Sequence, residues 1–459
     1  MRALSRCASS RKLWLTSAVG ALAALSLAGT AFTAEAPNKD EVFKLTTAIQ
    51  ADTTALVSFD ISWGDSTLHR YFLADRSHKS VDVINPADNS ITVFPNPLYA
   101  GVNAKGNDFS GPDGLLTANN HTEVWVGDSP GKVWVQDSTT LAVKTLPGGA
   151  ANPIFVGGTS RADELCYAPK ANVIMIASPV ENYVSFISTK TYKVLSQLTF
   201  NGSSGPQASV IAGVPLNGAG INGTNGIEQC QFSEETGKFY QNIPEVNGPG
   251  DDTKPGLVAV IDPTTMKVET TFPIPLEACA GPQGMTIGPH NQILLGCGAP
   301  SPNGHSNLAI INQHSGAVLA SIPDLGGDDE VWFNDSDGHY FIPSCNAACR
   351  AKPGSQIEQL GVVDANGFRL DHSVPIASPA GTTGRRIHSV AADSNTNQVY
   401  VPIPAIAVTT PPFPTSVCSS APNNVGSPTD ATGCIAVFTT KHDDRSRIAH
   451  EREKDERQD

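Results

Sequence analysis

The chain has 459 residues, with 41 Gly, 34 Pro, 16% charged residues and a formal net charge of -14. That charge excludes a surface built to neutralise nucleic-acid phosphates, and nucleic acid is not an expected partner. Abundant Gly and Pro with few charges fit a turn-rich β-protein.

The first element is an address label. Arg2, Arg6, Arg11 and Lys12 precede an apolar Ala- and Leu-rich run over 13–31, and small residues offer cleavage near Ala31 or after Ala36. Residues 1–36 are therefore expected to be a signal peptide, and the protein to be periplasmic or secreted. An uncleaved anchor helix is the other reading of the run, which is near bilayer-spanning length. Nothing later in the chain is long and apolar enough to span, so no membrane contact is expected after cleavage. Export leaves eight cysteines, and an even number in an oxidising compartment favours disulfides over metal thiolates. The preferred pairs are Cys345 with Cys349, Cys418 with Cys434, Cys279 with Cys297 and Cys166 with Cys230, although spacing alone does not settle connectivity. No CxxCH haem motif, nucleotide loop, GxSxG elbow or HExxH motif is present.

From residue 37 to 440 the sequence reads as repeats. A short apolar strand recurs at 81–84, 133–136, 184–187, 257–261, 308–311, 360–363 and 435–438. Most copies lie roughly fifty residues apart, the span of a four-stranded propeller blade. One repeat shows the plan: strands at 165–168, 173–177, 184–187 and 193–198, with a turn at 169–171. The turn after the third strand recurs six times, beginning with Asn85-Pro86-Ala87-Asp88 and including Asp262-Pro263-Thr264-Thr265. The seventh copy instead runs into a charged stretch, 441–459, which has no apolar face and is expected to be disordered. The last blade thus lacks an outer strand, and 42–46 is the expected donor. The prediction is an all-β, seven-bladed β-propeller closed by an N-terminal strand, with no open sheet edge.

Tyr71-Phe72-Leu73-Ala74 with Val81-Asp82-Val83-Ile84-Asn85, and the run LVAVIDPTTMK over 257–267, resemble the repeats of YVTN/YncE-like propellers. That resemblance implies the fold and leaves the activity open, since propellers host unrelated chemistries.

In such a fold the residue opening each first strand faces the central channel. These positions read Asp60, Asp113, Glu164, Glu228, Gln283, Glu330 and His388. Carboxylates converging on one poorly solvated cavity hold protons or a cation. Oxygen ligands favour Ca²⁺, Mg²⁺ or Mn²⁺, and His388 beside two glutamates also admits Zn²⁺ or Fe²⁺. The placement resembles the metal site of gluconolactonase-type propellers, which implies Glu164, Glu228 and Glu330 as metal ligands. This chain departs from that family in blade count and flanking motifs. By the same resemblance the metal polarises a carbonyl or activates water, Glu228 or His388 moves the proton, and Arg386 orients an anionic group. Purely structural acids and metal-free acid–base work are the other readings of the ring. His78, His121, His290, His305, His314, His339 and His372 fall in or beside predicted turns and are expected to be solvated. Trp332 is expected to be core.

Two functions follow. One is a divalent-metal-dependent hydrolase or lactonase acting on a small polar molecule. The other is a non-catalytic propeller that binds a protein or envelope partner through long loops at 201–224, 247–253 and 405–433.

Overall fold

In the computed structural model, residues 42–305, 307–326, 329–345, 358–376, 387–405 and 417–440 are described. The signal segment, Arg386, Cys349 and the charged tail lie outside them. The described residues form seven antiparallel blades around an axis, with 3-10 turns as the helical elements among them.

Every apolar run singled out in the sequence is the third strand of a blade: Ser80–Asn85, Lys132–Asp137, Tyr183–Ser188, Gly256–Asp262, Asn307–Asn312, Glu358–Asp364 and Cys434–Thr440. Alternation explains why these strands and the second strands are apolar on both faces. Tyr71 and Leu73 of blade one pack with Tyr400 and Ile435 of blade seven, while Phe72 and Ala74 between them pack with Leu115 and Val124 of blade two. Successive side chains point to opposite faces, so each inner strand feeds two interfaces. The core is accordingly seven apolar layers, one between each pair of neighbouring blades.

The recurring turn after the third strand has one physical basis. Its first residue accepts hydrogen bonds from backbone N–H groups two or three residues on: Asn85 from Ala87 at 3.0 Å, Asp137 from Thr140 at 2.8 Å, Asp262 from Thr265 at 2.7 Å and Asp364 from Asn366 at 2.9 Å. Ser188 does the same for Thr191 at 3.1 Å in blade three. Such side-chain turns compete well with strand continuation. The turn then passes through the left-handed region, at Asn89, Leu141, Tyr192, Met266, Gly316 and Phe368.

Blade seven is completed from the other end of the chain. Phe43–Ile49 pairs antiparallel with Cys434–Thr440, from Phe43 opposite Thr440 to Ile49 opposite Ile435. Asn423–Val425 then pairs parallel with the outer side of Phe43–Ile49. The expected loop at 201–224 is in part a hairpin, Ser204–Gln207 with Leu216–Ala219, which extends blade three to six strands.

Disulfides join Cys166 to Cys230, Cys279 to Cys297 and Cys418 to Cys434. The first links the first strands of blades three and four; the second lies within blade five. The proposed Cys345–Cys349 pair falls outside the described residues.

Candidate functional site in the axial channel

A repeated backbone contact sets the channel wall. Asp60, Asp113, Asp163 and Glu228 each donate their N–H to the carbonyl near the end of their own blade's second strand, at Ala74, Gly127, Ala177 and Asn242, over 2.9, 2.9, 2.9 and 3.1 Å. These four residues are therefore equivalent by position. In blade three the equivalent of Asp60 and Asp113 is Asp163, one residue before the expected Glu164.

The cavity at this place has a volume of about 460 Å³, and its wall includes Asp60, Arg161, Asp163, Glu164, Glu228, Gln283, Asp329 and His388. Five of the seven expected ring residues thus line it. Asp113 and Glu330 do not: Asp113 is fully buried behind the wall, and Glu330 is buried among its own hydrogen-bond partners, Ser62 and Val390 N–H and the Ser389 hydroxyl. Sequence reasoning missed Arg161, Asp163 and Asp329, and also Arg76, which lies behind the wall. A signal was present for Arg161, since Arg161-Ala162-Asp163 leads into a blade start, whereas Arg76 follows the second strand Arg70–Asp75.

The two arginines organise half of the pocket. Arg76, almost wholly buried, holds Asp60 Oδ2 at 2.6 Å through Nη2 and Asp113 Oδ1 at 3.0 Å through Nε. Arg161 Nε lies 2.8 Å from Asp163 Oδ2, and its Nη1 4.0 Å from Asp60 Oδ2. One oxygen from each of Asp60, Asp113 and Asp163 falls within 4.8 Å of the others. Three carboxyls share two guanidinium groups, and His388 stands beside Asp60 as a third basic group. Burial opposes ionisation of Asp60, yet Arg76, a hydrogen bond with His388 and Arg161 hold its carboxyl well below the usual range. Asp163 takes the opposite course: burial pushes it up to about 7, against the pull of Arg161. His388 completes this half, with Nε2 3.6 Å from Asp60 Oδ1 and its ring stacked on Phe59 at 4.7 Å.

The glutamate half is different. Glu164 is buried, and its Oε2 has no hydrogen-bond partner. Burial, then the charges of Asp163 and Glu228, push its carboxyl well above the ordinary range. Glu228 exposes part of its surface to the cavity, and burial with the charge of Asp329 raises it against the opposing pull of Arg161. Gln283 brings a buried Oε1 that is also unpartnered. Among the described residues neither Glu164, Glu228 and Glu330 nor Glu164, Glu228 and Asp329 bring three donor atoms within 4.8 Å of one another, and Glu330 stands outside the cavity.

Outside the channel, two histidines expected in solvated turns are drawn inward, His339 buried and His78 half-buried. His339 lies between Asp337 and Asp371, and His78 contacts Asp75. Trp332 packs edge-on against Trp63 at 5.4 Å, as core.

No family model matches this chain, and no curated protein does either. Solved structures match in fold. Hydrazine synthase from Kuenenia stuttgartiensis aligns over 76% of this chain and 93% of its own, at 13% identity and a TM-score of 0.52. The WD40 β-propeller domain of Doa1 aligns over 88% of this chain and 98% of its own, at 11% identity and a TM-score of 0.51. At these identities the likeness supports the propeller fold alone.

Proposed function

We propose that the axial pocket is the functional centre of an exported propeller, that its glutamate half takes a divalent cation, and that the loaded pocket hydrolyses a small polar ester or lactone. One observation carries the reading: Glu164, buried with an unpartnered Oε2, stands in the cavity wall with Glu228 and Asp329, while Arg161 of the wall and Arg76 behind it are engaged with aspartates. Buried carboxyls without a counter-charge are costly unless protonated or bound to a cation. Oxygen donors of this kind suit Ca²⁺, Mg²⁺ or Mn²⁺. The chemistry such an ion supplies is polarisation of a carbonyl or a lowered pKa of water. His388, oriented by Asp60 and Phe59, is placed to move a proton. The YVTN/YncE-like repeats are consistent with this reading without specifying it. The three disulfides support an oxidising location, periplasmic or extracellular.

The test is metal content and calorimetric affinity of the chelated, purified chain, beside Glu164→Gln and Glu228→Gln. The variants should lose one equivalent of ion and at least ~10-fold in affinity, as ligand removal implies. Unchanged uptake would refute the site, and an ion-loaded protein inert towards a panel of lactones and esters would refute the hydrolase. The second reading, a binding propeller, is favoured by the added hairpin of blade three, near whose tip Val210 is exposed.

A further inference from the structure

Blade one carries a second cluster of ligating side chains, separate from the channel wall. Asp75 ends the strand Arg70–Asp75, and Asp82 lies in the next strand, Ser80–Asn85. Asp75 pairs with Ser80, so Asp75, Ser80 and Asp82 share one face of the hairpin, with the two carboxyls diagonal neighbours. The connecting turn brings a third donor back to the same face. His78 N–H donates to Asp75 Oδ1 at 3.1 Å, and His78 Nδ1 contacts Asp75 Oδ2. One donor atom from each of Asp75, His78 and Asp82 lies within 4.8 Å of the others.

The charges do not balance. Asp75 and Asp82 are wholly buried, and a protonated His78 neutralises only one of them. Ser80 Oγ donates to Asp82 Oδ1 at 2.7 Å, whereas Asp82 Oδ2 is buried without a partner. Nearby cations do not help: Arg76 turns to Asp60 and Asp113, and Lys79 is exposed. Burial and the charge of Asp75 push Asp82 well above the usual carboxylate range, and Asp52 adds to this.

We propose that Asp75, His78 and Asp82 form a binding site for a divalent transition-metal ion of the zinc type, which pins the turn between the second and third strands of blade one. One imidazole nitrogen with two carboxylate oxygens is a donor set for such ions, and Ser80 orients Asp82 as outer-shell hydrogen bonds orient metal ligands. The site also has a structural consequence. Arg76, between Asp75 and the turn, is the guanidinium that clamps Asp60 and Asp113, so a pinned turn fixes the arginine half of the axial pocket.

Co²⁺ is the probe, titrated into the chain carrying Glu164→Gln and Glu228→Gln to remove the glutamate half of the axial pocket, with the blade-one substitutions below separating the new site from Asp60, Asp113 and Asp163. The expected result is one equivalent bound with visible d–d absorption. Asp82→Asn should weaken it at least ~10-fold, and Ser80→Ala should weaken it less, because only outer-shell support is lost. His78→Gln should remove the nitrogen-ligand contribution to the spectrum, and it carries the test if Asp82→Asn fails to fold. Absence of stoichiometric Co²⁺, or a titration that Asp82→Asn and His78→Gln leave unchanged, would overturn the site and assign the cluster to a proton shared between Asp75 and Asp82. This result is independent of the axial reading, since the two sites have no ligand in common.

Discussion

Glu330→Gln offers the sharpest test of how the blades meet at the axis. Glu330 Oε2 accepts from the N–H groups of Ser62 at 3.0 Å and Val390 at 3.2 Å, and lies 2.5 Å from Ser389 Oγ, tying blades six, seven and one. Ser389 Oγ is also 2.6 Å from Ser62 Oγ, which is 2.8 Å from the Tyr71 hydroxyl. The hydroxyls form a relay, Tyr71 to Ser62 to Ser389, that ends on Glu330 Oε2 whether or not that carboxyl is ionised, so burial is what favours a proton on it. Burial pushes this carboxyl up to about 8, against the downward pull of its three hydrogen bonds. The sign follows from linkage. Between the unfolded value of 4.5 and about 8 the folded state binds a proton that the unfolded chain does not, so stability is fully present below that window and falls as pH rises through it. The whole span is an upper bound of about 5 kcal/mol, from about 1.36 kcal/mol for each pH unit. Glutamine keeps an oxygen acceptor and cannot ionise. Urea unfolding should give similar stabilities for the two proteins near pH ~5, and a variant more stable by ~2 kcal/mol or more at pH ~8.5. A variant less stable by a constant amount at every pH would refute the reasoning, because it would show an ionised carboxylate whose hydrogen bonds stabilise the native state.

The disulfides should rank by the chain they close. Replacing Cys166 and Cys230 by Ser, across a separation of 64 residues, should cost about 4 kcal/mol, and replacing Cys279 and Cys297, across 18, about 3 kcal/mol; a reversed order in urea midpoints would count against a chain-entropy origin. The closing strand should matter to the whole ring. Phe43 and Ile49 are buried, and Phe43 meets Phe341 of blade six edge-on at 4.9 Å. Phe43→Ala with Ile49→Ala should destabilise by about 5 kcal/mol or more, and an unchanged melting temperature would show that the ring does not depend on this strand.

The fold was legible because its signals are local and repeated. An apolar third strand followed by an Asn, Asp or Ser that accepts its own turn's N–H groups recurs in six blades, and the structure uses each as read. The site was less legible for two reasons. Which of two adjacent acids faces the axis is decided by backbone register, and Asp163 and Glu164 cannot be ranked from sequence when the strand start is uncertain by one residue. Counter-charges come from elsewhere in the chain: Arg76 follows a second strand, yet it reaches acids of blades one and two. His78 was missed for a related reason, since a turn position suggests exposure while the adjoining segment near Asp52 and Thr54 helps to cover the ring.

Radial repetition creates the electrostatic problem that these side chains answer. Equivalent positions in successive blades converge on one axis, and identical acids there would repel in a space that water screens poorly. The chain breaks the symmetry chemically. Blades one to three supply Asp60, Asp113 and Asp163 together with Arg76 and Arg161, an arrangement largely compensated from within. Blade five supplies the neutral Gln283, and blade six turns Glu330 away from the cavity into hydrogen bonds. What is left unbalanced is concentrated on Glu164, Glu228 and Asp329, on the glutamate side of the pocket. Acids without a cationic partner are thus confined to one wall and face a wall whose acids are paired with arginines, so the repulsion that radial repetition sets up is met differently on the two sides of the axis.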